Sequence, residues 1–125
     1  MDKWQALQAF WSQFGLEAID NTILLDEDTR QELGIDFPYI TYEASTSDFD
    51  EPVALTASLW YYSLSWGSIS QKADEIGTAL GLGGMKVPYE DGQLWIQRGT
   101  PFAQRMSDPD KNIRRIVLNI VIEFL

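Results

Sequence analysis

Apolar positions recur along this chain with two different periods, and the change of period marks out its elements. Trp4, Leu7, Phe10, Trp11 and Phe14 return every three or four residues, which predicts an amphipathic helix over 3–14, with Asp2 placed to cap it and Gly15 to end it. Residues 16–25 are less regular, with a short extended piece expected at Thr22–Leu25. Asp26–Asp36 is acidic and reads as one helical turn stopped by Gly34.

The period then drops to two. Phe37–Ala44 is rich in aromatic and β-branched residues and predicts a strand, with Pro38 marking an edge or a strand start. A polar turn over Ser45–Pro52 leads to a longer strand, Val53–Ser63. Its residues Val53, Leu55, Ala57, Leu59 and Tyr61 share one face, and Thr56, Ser58, Trp60 and Tyr62 share the other. Aromatic rings on both faces imply cover on both sides, by a helix or by a neighbouring subunit. The helical period returns at Ile69, Ala73, Ile76 and Leu80, opened by a capping box at Ser68–Gln71 and stopped by Gly81. Short strands follow at Met85–Val87 and Gln93–Gln97, joined by a turn at Glu90-Asp91-Gly92. A last strand runs over Ile116–Phe124, with Ile116, Leu118, Ile120, Ile122 and Phe124 on one face and Asn119 and Glu123 on the other.

Neighbouring strands with only two strong helices predict an α+β fold: a central antiparallel or mixed sheet of about four to five strands, flanked by two main helices. At 125 residues the chain is expected to be one domain over 1–125, with no internal repeat. It has no cysteine and no histidine, which removes disulfides, thiolate chemistry, histidine bases and the usual zinc sites. No apolar run approaches the ~18 residues that cross a bilayer and no signal peptide is visible, so a soluble protein without membrane contact is expected.

Two acidic clusters, Asp26-Glu27-Asp28 and Asp48–Asp50–Glu51, lack the glycine and distant glutamate of a calcium loop and read as solvated turns. Gly81–Gly84 follows a helix rather than opening one, so it reads as a helix stop and not as a phosphate loop. No catalytic, cofactor-binding or metal-binding residue is assigned, and neither enzyme activity nor a cofactor is expected.

Charge changes the picture most. The formal net charge is −10, and residues 1–60 carry all of it, with twelve acidic and two basic side chains; residues 61–125 hold seven of each. Such acidity repels nucleic-acid phosphates. Within the second half, Arg98 to Arg115 holds five of the nine basic residues, Arg98, Arg105, Lys111, Arg114 and Arg115, against Asp108 and Asp110. Gly99–Asn112 supplies fourteen residues where a hairpin needs two to five, so a long functional loop is expected. Phe102 and Met106 give it apolar side chains. With a period of two, Arg114 and Arg115 point to opposite sheet faces; one is expected to meet an internal carboxylate and the other solvent, the alternative being two surface charges. The residues expected to meet a partner are Arg98, Phe102, Arg105, Met106, Lys111, Arg114 and Arg115, together with Trp60 and Tyr62.

FPYITYEAS at 37–45, ASLWYYSLSW at 57–66, Gln71-Lys72-Ala73, RGTPFAQRMSDPD at 98–110, Ile113-Arg114-Arg115 and Glu123-Phe124-Leu125 carry a resemblance. Together they resemble the small tail terminator, or tail completion, proteins of long-tailed phages and prophages of Gram-positive bacteria. The resemblance runs from about residue 4 to the C-terminus, is most specific at 98–110, and is not carried by Asp26–Asp36. It implies an α+β fold that forms a hexameric ring at the head-proximal end of the tail tube in the virion, assembled in the host cytoplasm. The ring would stop tube growth and meet the tail tube protein on one side and a head-completion or connector protein on the other. DNA would pass through its lumen without specific binding. Alternatives are another neck, head-completion or tail-tube component or, in a different class, a small ligand-binding domain using the aromatic strand.

Overall fold

The computed structural model describes residues 1–23, 25–46 and 51–125. Its elements run α1 (Lys3–Ser12), β1 (Glu17–Asp20), α2 (Glu27–Glu32), β2 (Tyr39–Tyr42), β3 (Val53–Tyr62), α3 (Gly67–Leu80), β4 (Met85–Tyr89), β5 (Gly92–Met106) and β6 (Ile113–Phe124). The strands form one six-stranded sheet in the order β1-β2-β3-β6-β5-β4. β1 pairs with β2 in parallel and all other neighbours are antiparallel. The fold is therefore α+β with a mixed sheet, as the periodicities predict, but with six strands and three helices among the described residues rather than four to five and two.

One face of the sheet holds the main core. Leu55, Ala57 and Leu59 of β3 and Ile116, Leu118, Ile120 and Ile122 of β6 lie against Ile69, Ala73, Ile76 and Leu80 of α3 and against Leu7, Phe10 and Trp11 of α1. Each large aliphatic side chain buried here contributes roughly 1.5–3 kcal/mol. Helix α1 spans a gap between strands from opposite edges of the curled sheet. Gln8 Nε2 donates to the carbonyl of Ala18 in β1 (2.9 Å), and Gln13 Nε2 lies 3.6 Å from Met85 Sδ on β4. The Asp2 cap is present, as a reciprocal box with Gln5.

The second face carries a smaller cluster, Ile19, Ile35 and Tyr39, with Leu25, Phe37 and Trp60 against it. This supplies the two-sided cover expected for the aromatic strand. The acidic segment forms α2, with Asp26 Oδ1 accepting from the Thr29 amide (2.8 Å) and Gly34 in a left-handed turn at φ +67°. The extended piece expected at Thr22–Leu25 is not a strand in its described residues. Asp20 accepts from Thr22 and Ile23 in a turn, and the strand is the preceding Glu17–Asp20, which the parallel ladder with β2 holds in place. Leu24, and Ser47–Asp50 of the expected polar turn, lie outside the described residues.

Two further expectations change. Helix α3 starts one residue before Ser68, with Trp66 at its cap and no side-chain cap bond; Ser65 Oγ accepts from the Gly67 amide instead. The long loop at Gly99–Asn112 is mostly strand. Strand β5 continues to Met106, and only residues 107–112 connect it to β6, which itself begins at Ile113. Its ladder breaks between Arg98, opposite Ile120, and Ala103, opposite Leu118, so that five steps on β5 face two on β6. Pro101, which has no amide hydrogen to donate, sits in this bulge, and its carbonyl accepts from Asn119 Nδ2 at 2.8 Å. The bulge carries the Phe102 ring onto α3, so close that a Cβ on Gly77 would stand 3.1 Å from Phe102 Cε2.

Candidate functional site

The basic stretch does not form one surface. Arg98 registers opposite Ile120, on the helix-bearing face, and lines a shallow cleft of about 360 Å³ with Leu82, Pro101 and Phe102 at the end of α3. Arg105 and Arg114 share one indole, their guanidinium carbons 4.9 and 5.3 Å from the centroid of Trp66. Arg114 also ties loops together, donating to the carbonyls of Lys111 and Leu64, each at 2.8 Å. Arg115 lies on the opposite face, 4.7 Å from the Trp60 ring, with its Nε donating to Ser58 Oγ at 3.1 Å. The opposite orientation expected for the two arginines is thus present. What each guanidinium meets is an indole, and both residues are half-buried. Cation–π contacts of this kind contribute about 0.5–1 kcal/mol each at partly exposed sites.

Of the remaining residues expected at a partner surface, Phe102 is half-buried against the core, and Met106 (41% exposed) and Lys111 face solvent. Trp60 and Tyr62 belong to a chain of rings on the second face. Trp60 stacks on Tyr39 (centroids 6.2 Å apart), Tyr39 meets Phe37 (5.1 Å), and Phe37 meets Tyr62 (5.7 Å). Register explains the row, because Tyr39 pairs with Trp60 and Trp60 with Arg115. Trp60 Nε1 is satisfied by Thr41 Oγ1 at 2.9 Å, which fixes the indole.

These rings wall a cleft of about 590 Å³. Arg30 lies at one side, its guanidinium 4.9 Å from the Phe37 ring and bonded to the Ile35 carbonyl at 3.0 Å. Glu27, Asp108 and Asp110 bring carboxylates to the lining, while Asn21, Ile23 and Leu25 come from the turn after β1. Burial pushes the Tyr39 phenol above its ordinary pKa; Arg30 opposes that shift and Asp108 adds to it. Tyr39 therefore stays a neutral hydroxyl at physiological pH. The chemistry on offer is an open slot with aromatic walls and a net acidic lining, suited to a side chain that is apolar along its stem and cationic at its tip.

Among the described residues no three acidic side chains converge on one point as a metal site. Asp26 of the first acidic cluster caps α2, and Asp48 and Asp50 of the second lie outside the described residues. No described helix is long and apolar enough to cross a membrane. Sequence reasoning finds Trp60 and Tyr62 but misses Phe37, Tyr39, Arg30, Asp108 and Asp110 as parts of one site. The signal present was the alternation in FPYITY, whose ring positions 37 and 39 fall on the face that Trp60 occupies.

A six-stranded mixed sheet filled on one face by two helices, with an aromatic cleft on the other, defines an α+β fold that solved structures share. No family model matches the chain, and no curated protein matches it. A chain in the virion of a native gene transfer agent particle is similar in structure, with a TM-score of 0.59 at 16% identity, over 97% of this chain and 90% of that one. A second solved chain, which bears no functional name, has a TM-score of 0.61 at 10% identity, over 98% and 92% of the two chains. At these identities the likeness establishes the fold, along nearly the whole of both partners.

Proposed function

We propose that this chain is a structural protein of a phage-type virion and, within it, the tail terminator. In this reading it closes the head-proximal end of the tail tube as a ring, hexameric by the family resemblance, ends tube polymerisation and offers its other side to a head-completion or connector protein. The observation that carries the reading is the fold shared along 97% of the chain with a component of a gene transfer agent virion. The segment 98–110, the most specific part of the family resemblance, supports the finer assignment. No catalytic step and no cofactor are assigned. The formal charge of −10 suits a lumen through which DNA slides without sticking.

Titrating the protein into polymerising tail tube protein tests the assignment. A terminator shortens the mean tube length in proportion to its molar ratio and forms no long polymers alone. Long polymers of this chain by itself would make it a tube component, and unchanged tube length would remove the terminator role. The aromatic cleft supports a second reading, a small ligand-binding domain; a reproducible rise in melting temperature with one member of a metabolite panel would favour it.

A further inference from the structure

The cleft on the second face and the surface around Arg98 have opposite character and lie apart on the same molecule. The cleft presents four linked rings with Glu27, Asp108 and Asp110 in its lining against the guanidinium of Arg30, which already bonds the Ile35 carbonyl and stacks on Phe37, while the Arg115 guanidinium beside Trp60 is held by Ser58 Oγ. Lys111, next to Asp110 in sequence, is exposed. Tyr62 remains 60% exposed at the mouth, so apolar ring surface is left in water. On the other face Leu82 stands 98% exposed just past α3, beside the exposed Arg98. Among the described residues the Arg98 guanidinium makes no hydrogen bond, ion pair or ring contact, unlike those of Arg30, Arg105, Arg114 and Arg115.

Arg98 cannot fill the cleft of its own chain. Trp60 and Arg98 are two strands apart and, measured on β6, their partners Arg115 and Ile120 are five residues apart. Strand spacings of ~4.8 Å and rises of ~3.3 Å put them about 19 Å apart along the sheet, on opposite faces. A knob and a socket at different places on one subunit make a head-to-tail contact, which closes into a ring or runs on as a filament.

We infer that Leu82 and Arg98 of one copy enter the aromatic cleft of the next, the leucine against the Phe37–Tyr62 rings and the guanidinium between Tyr39 and the Asp108 and Asp110 carboxylates. The contact rests on the ring-forming reading and gives it a heterologous interface. Charge sets the register, because a copy turned the wrong way would set carboxylates against carboxylates.

The absence of cysteine makes the contact directly testable. Asn21→Cys marks the cleft rim and Gly83→Cys marks the knob, where a Cβ meets nothing within 4 Å. Under mild oxidation the double variant forms a ladder of linked multimers. An equimolar mixture of the two single variants stops at dimers, and each single variant alone links no more than the exposed control pair Ala9→Cys/Gln71→Cys. Adding Arg98→Glu lowers the linked fraction about tenfold or more, as does Asp108→Arg/Asp110→Arg, and combining the reversals restores it. Circular dichroism of each variant confirms that it is folded. Linking that ignores Arg98→Glu, single variants that link to themselves as well as the mixture does, or no linking above the control overturns the contact. Tubes capped without Arg98-dependent linking overturn the contact alone, whereas linking without tube capping overturns the terminator role and leaves the contact standing.

Discussion

Gly77 and Phe102 form a pair whose coupling decides whether the second half of β5 is docked on the core or free. Gly77 is buried inside α3, and alanine there would gain about 1 kcal/mol of helix propensity. Its new Cβ would stand 3.1 Å from Phe102 Cε2 and 3.4 Å from Cδ2, so the ring must move by a few tenths of an ångström. Overpacking of this size costs about 1–3 kcal/mol, which leaves Gly77→Ala neutral to destabilising by about 2 kcal/mol. Phe102→Ala alone costs about 2 kcal/mol, less than the ~3–5 of a fully buried phenylalanine because the ring is half-exposed. In that background the obstruction is gone and Gly77→Ala is stabilising by about 1 kcal/mol. Urea denaturation of the four proteins, read as a double-mutant cycle, should give a coupling of about 1–3 kcal/mol. Additivity within ~0.5 kcal/mol would refute the docking of Phe102 on α3, and with it the conversion of the long loop into strand.

Trp66→Ala removes the ring shared by Arg105 and Arg114 and should cost about 2–3 kcal/mol, whereas Arg105→Gln, at an exposed residue, should cost only ~0.5–1; thermal unfolding measures both. Gly84→Ala should destabilise by about 2–4 kcal/mol in urea, because φ is +76° and a Cβ would stand 2.6 Å from the Ile96 carbonyl oxygen. The amide and then the hydroxyl of Thr29 hold the Asp26 carboxyl below its ordinary pKa. A depressed folded value makes the cap's contribution complete above the ordinary carboxylate pKa and lost as pH falls through the folded value. NMR titration of the Thr29 amide should therefore report a midpoint below ~3.9, and a midpoint at or above it would contradict the cap.

Sequence periodicity locates α1, α3, β3 and β6 to within a few residues because each buries a full face against another element, so its apolar spacing is continuous. Strand β5 is legible only to Gln97. Beyond it, Gly99, Thr100 and Pro101 fall in a bulge, and Ala103, Gln104, Arg105 and Met106 remain exposed, so nothing in their hydropathy alternates. The capping box at Ser68–Gln71 is a false signal, since Ser63 and Ser65 hydroxyls already hold the preceding turn one bond at a time. The aromatic cleft is harder still. Its walls come from the β1 turn, α2, the entry to β2 and β2 itself, β3, the 107–112 connection and the start of β6, and pairings distant in sequence, Tyr39 with Trp60 and Tyr62 with Ile113, bring them together. The charge asymmetry was legible as a sum but not as a surface. Folding sends Arg98, the Arg105–Arg114 pair and Arg115 to three separate places and leaves Asp108 and Asp110 in the cleft lining.

Electron microscopy of tail tubes mixed with this protein tests the central claim most directly. The terminator assignment predicts a ring of density at one end of each tube, the end that faces the head, and none along the shaft. Bare tube ends beside dispersed protein, or density decorating the shaft, would contradict it.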